Sequence, residues 1–199
     1  MKIVILCGGL GSRLAEVTKL IPKPMVKIGN KPIIDHIINI YKKYGFNDFI
    51  LATGYKNKIL EKYFLNKKNI NCIYTGKNTL TGGRLLRLKN YFKKDENFLL
   101  TYADGLTNQN LSKLVKFHLK HKRIATLTSV KPPARFGELK IIGNRVKSFK
   151  EKPQLQNNWI NGGYFVFNSK IFNFISGDNE MLEREAFQKL TRSKNLMAY

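Results

Sequence analysis

Acid is scarce in this chain. Thirteen aspartates and glutamates stand against 36 lysines and arginines, a formal net charge of +23 over 199 residues. Such a field repels cationic partners and attracts anions such as nucleotides and sugar phosphates. Cysteine is scarcer: Cys7 and Cys72 are the only two, far apart in apolar, strand-like runs. That pattern argues against a disulfide-stapled secreted scaffold and predicts buried thiols in a reducing cytosol. No Cys/His cluster has zinc-ligand spacing. No apolar run reaches membrane-spanning length, and the first residues pass directly into a short strand rather than a secretory leader. The lysines are scattered rather than gathered in an arm, which argues against a dedicated nucleic-acid stripe.

What is present is an alternation of strand and helix. Lys2–Cys7, Asp48–Thr53, Asn71–Tyr74, Asn97–Tyr102 and Ile124–Val130 are apolar runs of strand length. Between them, helical spacing predicts helices after Lys31-Pro32, from Lys56 to Phe64 (Ile59, Leu60 and Tyr63 inward), from Thr81, and from Asn110 to Lys120. This order implies an α/β fold with a mainly parallel sheet and helices on both faces, ligands binding at the carboxyl ends of the strands. The last third changes character. It reads as a β-hairpin over 137–150 turning at Gly143-Asn144, a strand over Asn161–Phe167, a short helix capped by Ser169, and another helix from Asn179 to Leu190. Without repeats or low-complexity linkers, residues 1–199 read as one domain.

The stretch that carries chemistry is Cys7-Gly-Gly-Leu-Gly-Ser-Arg-Leu14, with Ile21-Pro-Lys-Pro-Met25 following. A strand ending in Gly8-Gly9-x-Gly11 feeds a loop whose backbone can approach a ligand closely. Amides in such a loop donate to phosphate. Arg13 adds a forked permanent charge, and Lys23 adds a second on backbone stiffened by Pro22 and Pro24. The spacing fits neither a Walker loop nor a dinucleotide fingerprint. It makes a polyphosphate cradle of another kind. Asp104, just past a buried strand and beside Gly105, is placed to hold Mg²⁺ with waters and phosphate oxygens. His118 and His121 share a helix with lysines and are expected in solvent. His36 is expected at the edge of the core, and Trp159 in an ordinary packing role.

The pattern Gly-Gly-x-Gly-Ser-Arg-Leu followed by Pro-Lys-Pro-Met resembles the signature of the sugar-1-phosphate nucleotidyltransferases. Further pieces sharpen the likeness: Thr81-Gly-Gly-Arg84, Thr101-Tyr-x-Asp104-Gly105, Pro132-Pro-x-Arg-Phe-Gly137, Ser148-Phe-x-Glu-Lys-Pro153 and Ile160-Asn-Gly-Gly163. With these the chain looks like the bacterial glucose-1-phosphate cytidylyltransferases from end to end. The resemblance implies a Rossmann-like nucleotide-diphospho-sugar transferase fold, a sugar-binding hairpin region, and the joining of CTP and α-D-glucose 1-phosphate into CDP-glucose and pyrophosphate. It implies nucleotide binding by Leu6, Cys7, Gly8, Gly9, Leu10, Gly11, Ser12, Arg13, Lys23, Thr79, Arg84 and Ala103. Arg13, Lys23 and Asp104 would be catalytic, with Mg²⁺ on Asp104. Glu151, Lys152, Asn161 and Gly162 would hold the sugar phosphate. The partners implied are a nucleoside triphosphate and a hexose 1-phosphate, with a homo-oligomer allowed.

Two departures from the family stand out. The connection from Leu65 to Leu80 is short where the family carries an extra segment bearing on base choice and assembly. The family also has a second metal-binding aspartate beyond a Leu-Met-Ala-like segment, whereas this chain stops at Tyr199. Asp178, Glu180, Glu183 and Glu185 lie in another context and are not assigned to the site. UTP or dTTP in place of CTP, and nucleotide binding without catalysis, therefore stay open beside the CTP reading.

Overall fold

The computed structural model describes residues 1–11, 18–132, 137–151 and 159–199. Its centre is β1 (Lys2–Leu6), four of whose five residues are buried. β1 pairs in parallel with β4 (Asp48–Thr53) on one side and β6 (Asn97–Tyr102) on the other. β5 (Ile70–Tyr74) extends the sheet beyond β4, also in parallel. On the other flank β10 (Ile160–Asn168) runs antiparallel to both β6 and β7 (Ala125–Val130), and β11 (Leu196–Ala198) closes the edge in parallel with β7. The seven strands lie in the order β11-β7-β10-β6-β1-β4-β5. A two-stranded ribbon, β2 (Lys27–Ile28) with β3 (Lys31–Pro32), and the hairpin β8 (Glu138–Ile142) with β9 (Arg145–Lys150) stand apart from the sheet.

Both faces of the sheet are covered, as the continuous apolar strands require. Side chains alternate sides along a strand. Ile3 and Ile5 therefore pack against Ile34, Ile37 and Tyr41 of α1 (Ile33–Lys42) and Leu60 of α2 (Asn57–Phe64). Val4 and Leu6 pack on the opposite side against Leu85 of α3 (Thr81–Leu86) and against Phe167, Leu182 and Leu190. α4 (Leu111–His121) starts at Asn110, whose side chain accepts from the Lys113 amide at 3.0 Å, and joins the α1 face through Leu111 and Leu114. Because the strands beside β1 are parallel, their carboxyl ends line up on one edge, where the loops can form a cleft.

Several local expectations need correction. His118 is buried, not solvated: its Nδ1 lies 2.8 Å from the Thr126 hydroxyl and its Nε2 faces the Asn97 amide oxygen at 3.3 Å. His121 reaches the same hydroxyl at 2.7 Å. The helical period puts these residues three apart on one face, and that face meets β7. Trp159 is exposed, with the Lys131 ammonium 4.8 Å over its ring, so it is not a packing residue. The turn over Ser169–Phe174 is 3₁₀ and is capped by Asn168 rather than Ser169. The helix expected over 179–190 is instead a π-helical turn, Leu182–Ala186, leading into α5 (Phe187–Arg192). On α2 the fully buried positions are Leu60 and Phe64, while Tyr63 packs partly buried against the same cluster and donates its hydroxyl to the Asp35 carboxylate. Both cysteines are free thiols, Cys7 buried and Cys72 half-buried.

Candidate active site

A cleft of about 460 Å³ opens at the carboxyl edge of the sheet. One wall is the end of β1 and the loop after it: Leu6, Cys7, Gly8, Gly9 and Gly11. The loop is held from behind. The Cys7 amide donates to Ala52 at 2.9 Å, and the Gly8 carbonyl accepts from the Tyr55 amide at 3.3 Å and from Arg84 Nη2 at 2.9 Å. A trans peptide points its C=O and the next N–H in opposite directions. With the Gly8 carbonyl turned toward Arg84, the Gly9 N–H faces away from it. Gly8 has no room for a side chain, because a Cβ there would lie 1.9 Å from the Arg84 guanidinium. Gly11 takes φ +68°, the left-handed region that glycine favours.

Arg84 lies beneath this loop, only 4% exposed. Its Nη1 donates to Thr53 O, Thr75 Oγ1 and Gly76 O at 3.3, 3.1 and 2.6 Å, and its Nη2 to Gly8 O and Lys77 O at 2.9 and 3.2 Å. None of these acceptors is a carboxylate. Burial therefore pulls its pKa below the ordinary guanidinium value, assisted by the positive charge of Arg87. Three loops, after β1, β4 and β5, are stitched together by one side chain, and its positive charge, with no carboxylate bonded to it among the described residues, sits under the cleft. The structure thus turns Arg84 toward backbone carbonyls, as a residue that shapes the loop.

The opposite wall comes from the end of β6. Asp104 lines it, and Lys23 reaches across from a 3₁₀ turn (Lys23–Met25) to donate from Nζ to Asp104 Oδ2. Both side chains remain partly exposed in the cleft. Lys23 is fixed between buried Pro22 and buried Pro24, and the Met25 amide donates back to the Pro22 carbonyl at 2.8 Å. Two oppositely charged groups from residues 81 apart thus share one space. Cys7, also on the wall, is fully buried, and desolvation raises its thiol pKa well above the ordinary value. It is an inert thiol, not a nucleophile.

The third wall was anticipated only at Thr79. Thr79, Leu80 and Thr81 contribute, together with Met181 and Glu183 from the π-helical turn region. Glu183 accepts from the Tyr102 hydroxyl at one oxygen and from the Thr81 hydroxyl at the other, the latter at 2.6 Å. Burial, and then the Glu183 charge, push the Tyr102 hydroxyl pKa far up, so it stays protonated and donating. The Asn161 side chain opposes that shift, which puts the start of β10 near the Tyr102 hydroxyl. The Thr-Gly-Gly-Arg motif has a plain steric reason: a Cβ on Gly83 would lie 2.4 Å from the Asp178 backbone, and one on Gly82 2.8 Å from the Glu180 carbonyl. The two glycines admit segment 178–183 against the first turn of α3.

Of the residues expected at the site, the cleft brings together Leu6, Cys7, Gly8, Gly9, Gly11, Lys23, Thr79, Arg84, Ala103 and Asp104. Leu10 is half exposed and outside its walls. Among the described residues the walls include neither Glu151, just past the end of β9, nor Asn161 and Gly162 at the start of β10. Ser12, Arg13 and Lys152 lie outside the described residues. Sequence reasoning missed Tyr102, Thr81 and Glu183. Only the paired glycines of α3 hinted that a backbone must pass there.

A glycine loop at one parallel strand end with a cation–carboxylate pair across it is an arrangement suited to binding anions. The Nucleotidyl transferase family profile matches residues 2–198. The chain belongs to that family. This nucleotidyltransferase is 41% identical to the glucose-1-phosphate cytidylyltransferase of Salmonella typhimurium, with 100% of the chain and 87% of the relative covered. A probable glucose-1-phosphate cytidylyltransferase of Bacillus subtilis gives the same identity and coverage. The Salmonella alignment spans 224 positions over 199 residues, so the relative carries internal residues that this nucleotidyltransferase lacks. The crystal structure of HddC from Yersinia pseudotuberculosis complexed with GMP-PN superposes with a TM-score of 0.77 at 25% identity, covering 100% of this chain and 89% of that one. The fold is accordingly that of the sugar-nucleotide-forming transferases, with a mainly parallel Rossmann-like sheet. No helix of the described residues is long and apolar enough to cross a membrane.

Proposed function

We propose that this nucleotidyltransferase joins CTP to α-D-glucose 1-phosphate, releasing pyrophosphate and forming CDP-glucose. The observation that carries the reading is the shared cleft: Lys23 faces Asp104 beside the Gly8-Gly9 loop, in a chain 41% identical along its whole length to a glucose-1-phosphate cytidylyltransferase. A phosphate oxygen of the sugar phosphate attacks the α-phosphorus in line. One P–O bond forms while the bond to the β-phosphate oxygen breaks, and the electron pair leaves with pyrophosphate. No covalent intermediate with the protein is needed, so the work is placement and charge compensation. The Gly8-Gly9 backbone and the buried charge of Arg84 favour the triphosphate. Lys23 moves its ammonium from Asp104 to the phosphates, where developing charge is greatest.

Mg²⁺ suits the group that remains. Asp104 is a partly exposed carboxylate whose partner is already a cation, and Mg²⁺ commonly takes one or two carboxylates with waters and substrate phosphates. Bound there, it would supply charge neutralisation between the two anionic substrates. Glu151, Lys152, Asn161 and Gly162 are proposed to hold the sugar phosphate, supported by the contact between Asn161 and cleft-lining Tyr102.

A second reading, transfer from GTP, is favoured by a 35% identical D-glycero-α-D-manno-heptose 1-phosphate guanylyltransferase from Aneurinibacillus thermoaerophilus. Pyrophosphate release with CTP, GTP, UTP and dTTP, each against a panel of hexose 1-phosphates, separates them. With the productive pair, Lys23→Ala and Asp104→Ala should each lower turnover by about 100-fold with the fold intact by circular dichroism. Wild-type release by either variant would remove that residue from the mechanism.

A further inference from the structure

Glu183 is a second carboxylate in the cleft, across from Asp104, and nothing in the proposed reaction uses it. Its contacts explain its presence. One oxygen accepts from Tyr102, at the end of β6 and two residues before Asp104. The other accepts from Thr81 at 2.6 Å, at the start of α3. The neighbouring Leu182 amide donates to the same Thr81 hydroxyl at 2.9 Å. Above it, the Leu80 amide donates to Asp178 O at 2.9 Å and the Gly82 amide to Glu180 O at 3.0 Å. These partners are 81 and 102 residues away in sequence. Glu183 is presented by a π-helical turn, a widened form that is rare and recurs at functional sites. Two hydroxyl donors on one carboxylate make a charge-assisted bridge, stronger than neutral hydrogen bonds.

We propose that Glu183 is a positioning residue that sets the width of the cleft, clamping the nucleotide-facing start of α3 to the Asp104-bearing end of β6. The proposal rests on the nucleotide reading for its effect on turnover, but not for the clamp itself. Without the carboxylate, Tyr102 and Thr81 lose their common acceptor, and the two walls are free to separate. A shift of about 1 Å between reacting groups can cost about 100-fold in rate. A glutamine can replace the clamp. Its amide oxygen accepts from Tyr102, and its NH₂ donates to the Thr81 oxygen, which has lone pairs for both that amide and the Leu182 N–H.

The test compares Glu183→Ala, Glu183→Gln and Tyr102→Phe with the wild type in three measurements. These are hydrogen exchange over 79–84 and 101–105 without ligand, CTP affinity by calorimetry, and kcat and KM for pyrophosphate release. Expected are faster exchange in both segments and about 100-fold lower kcat for Glu183→Ala. Glu183→Gln should keep wild-type exchange and a kcat within about threefold, because it retains both bonds and loses only the charge. Tyr102→Phe, which cuts one arm, should fall between, and Glu183→Ala should add little on top of Tyr102→Phe with Thr81→Val. Wild-type exchange in Glu183→Ala would overturn the clamp. So would a glutamine variant as slow as alanine with wild-type exchange, since the negative charge itself would then be acting. If Glu183→Ala does not fold, Tyr102→Phe and Glu183→Gln decide the matter alone. If the wild type releases pyrophosphate with no substrate pair, the transferase reading fails, and the ligand-free exchange still tests the clamp.

Discussion

Arg84 offers the sharpest separation between a ligand contact and an architectural residue. Its guanidinium is 4% exposed and is hydrogen-bonded to four carbonyls and one hydroxyl from three loops. Arg84→Met fills most of the same volume and leaves those acceptors without a donor. Each buried acceptor left unsatisfied costs about 1–3 kcal/mol, but the loops can relax toward water, and such terms are not additive. A net loss of about 3–5 kcal/mol is expected, the range for breaking a buried charged network. For a chain of this length 1 kcal/mol moves Tm by about 2–4 °C, so Tm should fall by about 6–20 °C. Arg84→Lys should recover only part of this, because an ammonium has three donors at a single point and cannot span Gly8 and Gly76 together. The assay is urea and thermal unfolding without nucleotide, paired with CTP affinity. An Arg84→Met protein with wild-type unfolding and lost CTP affinity would refute the architectural account and return Arg84 to direct nucleotide contact.

Two further outcomes follow from geometry. Burial depresses the His118 pKa to about 4, so the histidine is neutral when folded and takes up a proton on unfolding below its ordinary value of about 6.5. Stability should fall as pH drops from about 6.5 to 4, by up to about 3 kcal/mol from this group, and His118→Gln should flatten that part of the urea-stability profile relative to wild type. An identical slope in both proteins would show that His118 is not the group concerned. Gly83→Ala gains up to about 1 kcal/mol of helix propensity but drives a Cβ to 2.4 Å from the Asp178 backbone, which cannot swing away as a side chain could. Net destabilisation of about 1–3 kcal/mol is expected. Gly105→Ala, with nothing within 4 Å of the new atom, is the control and should be neutral or slightly stabilising.

Much of the sheet was legible because its strands are short, apolar and bounded by glycine or turn residues. β4 and β6 fall on the expected bounds, Asp48–Thr53 and Asn97–Tyr102. That Lys23 and Asp104 share one edge of the sheet was legible in outline, from the loops at the ends of parallel strands, but their pairing with each other was not. What escaped was everything decided by distant backbone packing. The π-helical turn at Leu182–Ala186 has no periodic signature, since an inserted residue breaks the helical period by which helices are read. Glu183 stood in a run with Glu180 and Glu185, and composition cannot tell which faces a cleft. The Glu180 side chain instead caps locally, accepting from the Ser176 amide at 2.7 Å. His118 was misplaced for a related reason. Lysines on either side suggested solvent, but the position three before His121 lies on the face that meets Thr126.

The same devices that build the loop also limit what the site can do. Charge compensation for a triphosphate needs positive groups that do not neutralise themselves first. Lys23 is partly neutralised by Asp104 while the cleft is empty, and an entering phosphate must displace that pairing. Among the described residues Arg84 has no acidic hydrogen-bond partner, which leaves its charge to act on the cleft, but its donors are committed to backbone and hydroxyl oxygens. One cation is therefore mobile and the other fixed. The fixed one raises the local potential at the Gly8-Gly9 loop before substrate arrives, in a dry setting where a charge counts for more than it does in water. In the proposed reaction the mobile one follows the reacting phosphate. Exchanging their environments, with an acid beside Arg84 and none opposite Lys23, would leave the net charge of the cleft unaltered and remove its preorganised part, which is the part that lowers a barrier rather than merely attracting an anion.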